Sequence, residues 1–343
     1  MIIGLTAAGM VSCSDDDDNS IKHDAEVIQF NVTVPRASRA DITSTTSINN
    51  FKMWAFVEGK TYMNGVEVRR PPEGGNWTYT PIMYWPLGKD VNFYGISPAD
   101  ITTSEKPVGS EEHPDIPGFV NSNGLTDLLY SVNMKERETG RVQVNFRHAL
   151  SQLQFQFRRV KRDENPIQVD VIGVEIVGAN SVGDFKFPRA TTLEGSVEEA
   201  RGVWTNQNTP SIGTVYTGTA VTLDDKYKVI DNTGYALVIP QPLTFGSTSD
   251  TSNGTFVRIR CSIFDHKTGL KIWPGSSAEG YDDSTGTAYI YFPLRNENSS
   301  VTEWEPGKRY NYNVTVSVPD AGSSTIEFDV TVDSYGDFID TAI

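Results

Sequence analysis

Apolar and polar residues alternate one for one along most of this chain, the pattern of strands with one buried face. Phe30, Val32 and Val34 alternate with Gln29, Asn31 and Thr33; Val142, Val144 and Phe146 alternate with Gln143, Asn145 and Arg147. Leu153, Phe155 and Phe157 are interleaved with Gln152, Gln154 and Gln156. The second half repeats the theme in Val257, Ile259, Cys261 and Ile263, in Tyr310, Tyr312, Val314, Val316 and Val318, and in Ile326, Phe328, Val330 and Val332. Helical periodicity is scarce. The polar partners are Thr, Asn, Gln and Arg, so each sheet is expected to keep a wet face, which favours antiparallel sandwiches over a parallel α/β sheet.

Gly and Pro clusters at 71–75, 114–118, 121–124, 246–254 and 273–286 read as surface loops between these strands. At 158–166 a long strand ends in consecutive charged residues and Pro166 before alternation resumes at Val169, which marks a domain boundary. The chain, at 343 residues, is also long for one core. The expectation is an all-β protein of two tandem sandwiches, over 27–163 and 164–343, each of ordinary domain size.

Charge narrows the partners. Lys plus Arg is 29 against 44 Asp plus Glu, a net charge of −15, which does not suit a polyphosphate, so no nucleic acid is expected to bind. A hydrophobic content of 38% with 10% aromatics is too rich for a disordered chain. Two cysteines make no disulfide framework.

The N-terminus reads as an export address. Ile2, Ile3, Leu5, Ala7, Ala8, Met10 and Val11 form an apolar run too short to span a bilayer but suited to the core of a secretory signal over 1–12. Ser12 and Cys13 after it resemble a bacterial lipobox, in which the cysteine is acylated and becomes the mature N-terminus. Met10 stands where Leu is usual, and no Lys or Arg precedes the run. Two or more acyl chains give a lasting anchor, so the protein is expected to be tethered to the outer membrane rather than inserted. Asp15, Asp16, Asp17 and Asp18 repel one another and anionic lipid, making 13–26 an extended acidic tether. Cys13 followed by this acidic run is similar to the surface-export signal of Bacteroidetes lipoproteins, which implies a place on the cell surface.

Catalytic signatures are missing: no G-x-S-x-G, H-E-x-x-H, Walker loop or dinucleotide fingerprint occurs. His23, His113, His148 and His266 share no metal-ligand spacing, and His148, at a strand end, is expected to be hydrogen-bonded and structural. Cys261 falls on the apolar phase of its strand and is expected to be a buried free thiol. Glu111-Glu112 and Glu198-Glu199 lie in charged loops, and neighbours in sequence do not make a glycosidase pair. No enzyme and no cofactor are expected. The six Trp argue for another function, since Trp77, Trp85, Trp204 and Trp273 flank loops or strand ends, where exposed indoles stack on sugars. Core burial with the N–H satisfied is the other use, expected for Trp85 and Trp304; Trp77 and Trp273 stay open.

Several segments carry a family resemblance in order. Tyr84-Trp85-Pro86 with Val91-Asn92-Phe93-Tyr94-Gly95-Ile96-Ser97-Pro98 resembles the "YWP … FYAYSP" segment of the fimbrillin-like (type V pilin, Mfa-like) lipoproteins of Bacteroidales. Phe146-Arg147-His148-Ala149-Leu150-Ser151-Gln152-Leu153 is similar to the family's "F-x-H-A-L-S-x-L". Ala236-Leu237-Val238-Ile239-Pro240-Gln241 and Trp304-Glu305-Pro306-Gly307-Lys308-Arg309-Tyr310-Asn311-Tyr312 resemble its "L-I-P-Q" and "W-x-x-G-K-x-Y-x-Y".

The resemblance implies two transthyretin-like sandwiches, and a pilus or tip subunit that takes part in adhesion. It implies that an Arg-specific surface protease removes the first strand and that a terminal strand of another pilin subunit fills the slot. Onto this sequence the removable strand maps to Phe30, Val32 and Val34, and the scissile site to Arg36 or Arg39 in a short, small-sided loop, where the two could equally be ordinary loop arginines of a subunit that is not cleaved. The donor strand maps to Ile326, Phe328, Val330 and Val332, which could equally be a fixed strand of the second sandwich. A host or glycan receptor is a further implied partner. The competing reading is an outer-membrane glycan-binding lipoprotein that never polymerises. Asp283-Ser284-Thr285 and Asp340-Thr341-Ala342 resemble the short O-glycosylation motif of this phylum.

Overall fold

The structure, a computed structural model, describes residues 26–33, 48–101, 115–121, 127–137, 140–161, 166–192, 200–297, 299–318 and the backbone of 328–334. Of the residues singled out above, 2–18 with Cys13 among them, His23, Val34, Arg36, Arg39, Glu111, Glu112, His113, Glu198, Glu199, Ile326 and 340–342 lie outside them. Every regular element among the described residues is a strand. The first are β1 (Gln29–Thr33), β2 (Asn50–Val57), β3 (Lys60–Arg69), β4 (Thr78–Tyr79), β5 (Val91–Ser97), β6 (Asp115–Val120), β7 (Leu129–Glu136), β8 (Arg141–Asn145) and β9 (Arg147–His148). There follow β10 (Ser151–Arg159), β11 (Ile167–Lys186), β12 (Val203–Leu223), β13 (Lys228–Val229), β14 (Ala236–Val238) and β15 (Phe256–Asp265). The last are β16 (Lys271–Trp273), β17 (Ala288–Pro293), β18 (Lys308–Val316) and β19 (Phe328–Ser334).

Two sandwiches result. In the first, the six-stranded sheet β4-β3-β2-β5-β7-β9 is covered by the two-stranded sheet β1-β8, with Phe51, Met53, Phe93, Val142, Val144 and Phe146 between them. In the second, β13-β10-β18-β19, with β14 beside β10, lies against β12-β11-β15-β16, to which β17 and β6 attach. Its core holds Leu153, Phe155 and Phe157 from one sheet and Val169, Val171 and Ile259 from the other.

The expected wet face is missing at the centre of the first sheet. Trp54, Phe56, Tyr94, Ile96, Tyr130 and Val132 join a third buried cluster with Phe185, Phe187 and Trp204. Those last three lie at the far end of the β11–β12 hairpin, whose strands run 20 and 21 residues. The hairpin thus belongs to the second sandwich at one end and roofs the first at the other. Register shifts between Val171/Gly173, Val174/Glu175, Val177/Ala179 and Val182/Asp184 divide it into shorter twisted stretches, as extra residues in a ladder do. The sequence carries a trace of this, because apolar residues fall on both phases in Met53-Trp54-Ala55-Phe56, Phe93-Tyr94 and Leu128-Leu129-Tyr130, as in strands buried on both faces.

The expected boundary at 158–166 also moves. β10 was placed before it, yet β10 pairs in parallel with β18, from Gln152↔Arg309 to Arg159↔Val316, and buries its Phe side chains in the second core. The chain crosses between sandwiches at 149–150, and residues 151–159 belong to the second. β10–β18 and β1–β8 are parallel pairs among otherwise antiparallel ladders; both join segments more than a hundred residues apart, a pairing that short hairpins cannot make.

Candidate functional site

The first strand sits in a seat built for it. Ile28 is fully buried, Phe30 nearly so, and Val32 partly, so the three residues on one phase of β1 face the first core. The Phe30 ring lies 5.9 Å from Phe51, 5.5 Å from Tyr79 and 5.9 Å from Phe93 by centroid, meeting Phe51 and Phe93 edge to face. Aromatic rings favour that geometry because the positive edge of one meets the negative face of the other. Burying Ile28 and Phe30 contributes about 1.5–3 kcal/mol each.

Polar atoms fix the register. β1 runs parallel to β8, with Phe30 opposite Val142 and Val32 opposite Val144. On the outer face the Asn31 amide donates to Gln143 Oε1 at 2.6 Å, and Arg141 Nε donates to Gln29 Oε1 at 3.0 Å. Before the strand, Ile28 N–H donates to the Met83 carbonyl at 2.9 Å, and Trp85 N–H to the Glu26 carbonyl at 2.8 Å. The Tyr79 hydroxyl donates to the Ile28 carbonyl at 2.7 Å, and burial pushes its pKa up, so it stays a donor through the neutral range. Ile28 was missed in the sequence although it shares the Phe30 phase; Tyr79 and Met83 carried no sequence signal.

β1 and β19 share one topological property. Each is the outermost strand of its sheet and has a single ladder partner among the described strands, β8 for the first and β18 for the last. Phe328, Val330 and Val332 pair with Val314, Tyr312 and Tyr310 in the β18–β19 ladder, so the terminal strand is docked on its own sandwich. Either strand can leave without breaking another ladder. A vacated β1 position leaves β8 with an unpaired row of N–H and C=O groups above an aromatic slot, an edge that any suitable strand can fill.

The family-like segments turn out to hold the molecule together. In the run 146–153, Phe146 enters the first core, Ala149 and Leu150 the third cluster, and Leu153 the second core. His148 Nδ1 lies 2.6 Å from Asp127 Oδ2, with both side chains largely buried, and Arg147 donates to the Thr192 carbonyl. His148 is thus hydrogen-bonded, as expected. Gln241 clamps Asn180 from both sides, accepting from its N–H at 2.8 Å and donating to its carbonyl at 3.1 Å. Trp304 Nε1 donates to the Tyr312 hydroxyl at 2.8 Å, and Glu305 N–H donates to the Tyr310 hydroxyl at 2.8 Å. Burial pushes the Tyr310 pKa up to about 12 and that of Tyr312 higher.

None of the six Trp is exposed. Trp54, Trp85, Trp204 and Trp304 are buried, while Trp77 and Trp273 are half-buried and lie against the first and second cores. Cys261 is the buried free thiol expected; desolvation pushes its pKa up, and the nearby Asp170 charge adds to the shift.

The family model for fimbrillin-like proteins matches residues 36–334, a span that begins just after β1. A fimbrial protein from Bacteroides vulgatus superposes with a TM-score of 0.56 at 12% identity, covering 90% of this chain and 99% of that one. A candidate cell adhesion protein from Parabacteroides distasonis gives 0.54 at 8% identity, with 91% and 97% covered. Another from Bacteroides uniformis gives 0.51 at 14% identity, with 90% and 99% covered. No curated protein matches. At such identities the solved structures establish a shared fold.

Proposed function

The chain belongs to the fimbrillin-like family, and from that premise we propose that it is a non-catalytic, cell-surface fimbrial subunit that serves adhesion and assembles by strand replacement. In this reading the precursor is acylated at Cys13 and held at the outer membrane while the acidic tether at 13–26 keeps the body clear of the lipid. An Arg-specific surface protease cuts after Arg36 or Arg39. β1 then leaves, and the 326–332 segment of another subunit takes its place.

The observation that carries the proposal is the seat itself: a strand with one ladder partner whose apolar residues sit at the centre of an aromatic core. Loss of β1 without replacement exposes Ile28, Phe30 and the walls around them to water, so refilling is strongly downhill. The docked edge position of β19 suits a strand that can be transferred. The rival reading, a glycan binder that never polymerises, drew its support from exposed indoles, and with four of the six Trp buried and Trp77 and Trp273 half-buried against the cores that support is weak.

The test uses the full precursor body treated with an Arg-specific protease and run unboiled on a denaturing gel. A ladder of SDS-resistant oligomers is expected from the wild type and its loss from the R36Q/R39Q double variant. A protein that is cut at these arginines yet remains a monomer contradicts the reading.

A further inference from the structure

We propose that the cleft between β12 and β14, on the flank of the second sandwich, is a binding site for a neutral saccharide. The cleft measures about 460 Å³, within the range of small-ligand pockets, and is open to solvent on one side. It is unrelated to the β1 seat, so the proposal holds whether or not the subunits polymerise.

Its chemistry is selective. Among the described residues sixteen line it and none is Asp, Glu, Lys, Arg or His, although 21% of the chain is charged and about three would be expected by composition. The floor is apolar, from Ile176, Ala179, Val215, Leu237 and Val238, and the rim is amide and hydroxyl. That combination excludes a charged ligand, which would lose its hydration without a counter-charge. It suits a polyol, whose C–H faces rest on apolar surface while its hydroxyls pair with groups that both donate and accept.

The rim groups are disposed for such pairing. Ser211 Oγ donates to the Ala179 carbonyl, and Ser181 Oγ to the Thr209 carbonyl, which leaves their lone pairs to accept from a ligand hydroxyl. Among the described residues the Asn180, Thr214 and Asn232 side chains make no hydrogen bond, so their donors and acceptors remain available.

An extended peptide is the obvious alternative occupant, because β12 is an edge strand. The edge is blunted at this very stretch. Register shifts fall at Val174/Glu175 and Val177/Ala179, opposite Thr214 and Ser211. Pro210 lacks a donor, Thr209 is left-handed at φ 64, and the Val215 carbonyl already accepts from Asn232 N–H at 3.0 Å. Bulges and proline are devices that stop strand addition.

Gly213 supplies the test. It lines the cleft, has no positive φ, and a Cβ built on it meets nothing within 4 Å, so a large side chain there blocks the site without straining the fold. The intact protein is applied to an array of neutral oligosaccharides of glucose, mannose, galactose and xylose, beside sulfated and uronic-acid oligosaccharides, and to an array of uncharged peptides. The expected result is binding to neutral saccharides that falls about tenfold or more in G213W, and in the same direction in N232A, with the thermal midpoints of both variants unchanged. Binding to acidic glycans alone, to peptides alone or to neither array overturns the assignment, as does neutral-saccharide binding that both variants leave intact.

Discussion

Truncation of Phe30 to Ala deletes a ring held between Phe51, Tyr79 and Phe93 and leaves a cavity that three aromatic neighbours cannot close. The expected cost in the uncleaved protein is about 3–5 kcal/mol, read from denaturant unfolding, whereas N31A, on the exposed face of the same strand, should change stability little. Equal effects from the two would mean that β1 does not face the core. Buried phenols make a separate statement about pH. Tyr310 ionises near 10 when unfolded and at about 12 when folded, so the folded state holds the proton more tightly. Its contribution is complete below pH 10 and is lost as pH rises through about 12. Denaturation midpoints should therefore decline across that window, less steeply in Y310F. Cys261 should resist alkylation in the folded protein and react only on unfolding, since burial keeps it a thiol.

At the scale of elements, the alternation of Phe30 and Val32 with Gln29, Asn31 and Thr33 was legible in the sequence because a one-sided strand writes its burial directly into its residues. The two-sided burial of β2, β5 and β7 was harder to read, because a continuous apolar run does not say what covers its second face. That cover comes from β11 and β12, more than seventy residues downstream of β5. The misplaced boundary has a similar cause: β10 follows β9 almost without a break, and only its parallel pairing with the remote β18 assigns it to the second sandwich. The modular picture has a consequence for amide exchange. Release of β1 by proteolysis should expose Arg141–Asn145 and the 83–85 contact while Ser151–Arg159 stays protected. Uniform loss of protection would mean that β1 supports the whole molecule rather than one face of the first sandwich.

For the whole molecule, strand transfer from the C-terminal end of one copy to the N-terminal seat of the next is a heterologous contact. Such contacts repeat without closing unless the rotation happens to complete a ring, and so they generate filaments. The seat was only partly legible in the sequence: Phe30 and Val32 were found, but Ile28 was passed over and the Tyr79 and Met83 contacts come from a loop with no local pattern. What the proposal requires is that β1 depart. Asn31 and Gln143 are direct partners across the β1–β8 ladder and both are exposed, so N31C/Q143C, with Cys13 replaced by Ser, can lock the strand in place by a disulfide. After cleavage by the Arg-specific protease, the oxidised protein should remain a monomer on an unboiled gel and form the SDS-resistant ladder once reduced. A ladder that forms with the disulfide intact would contradict strand replacement at this seat.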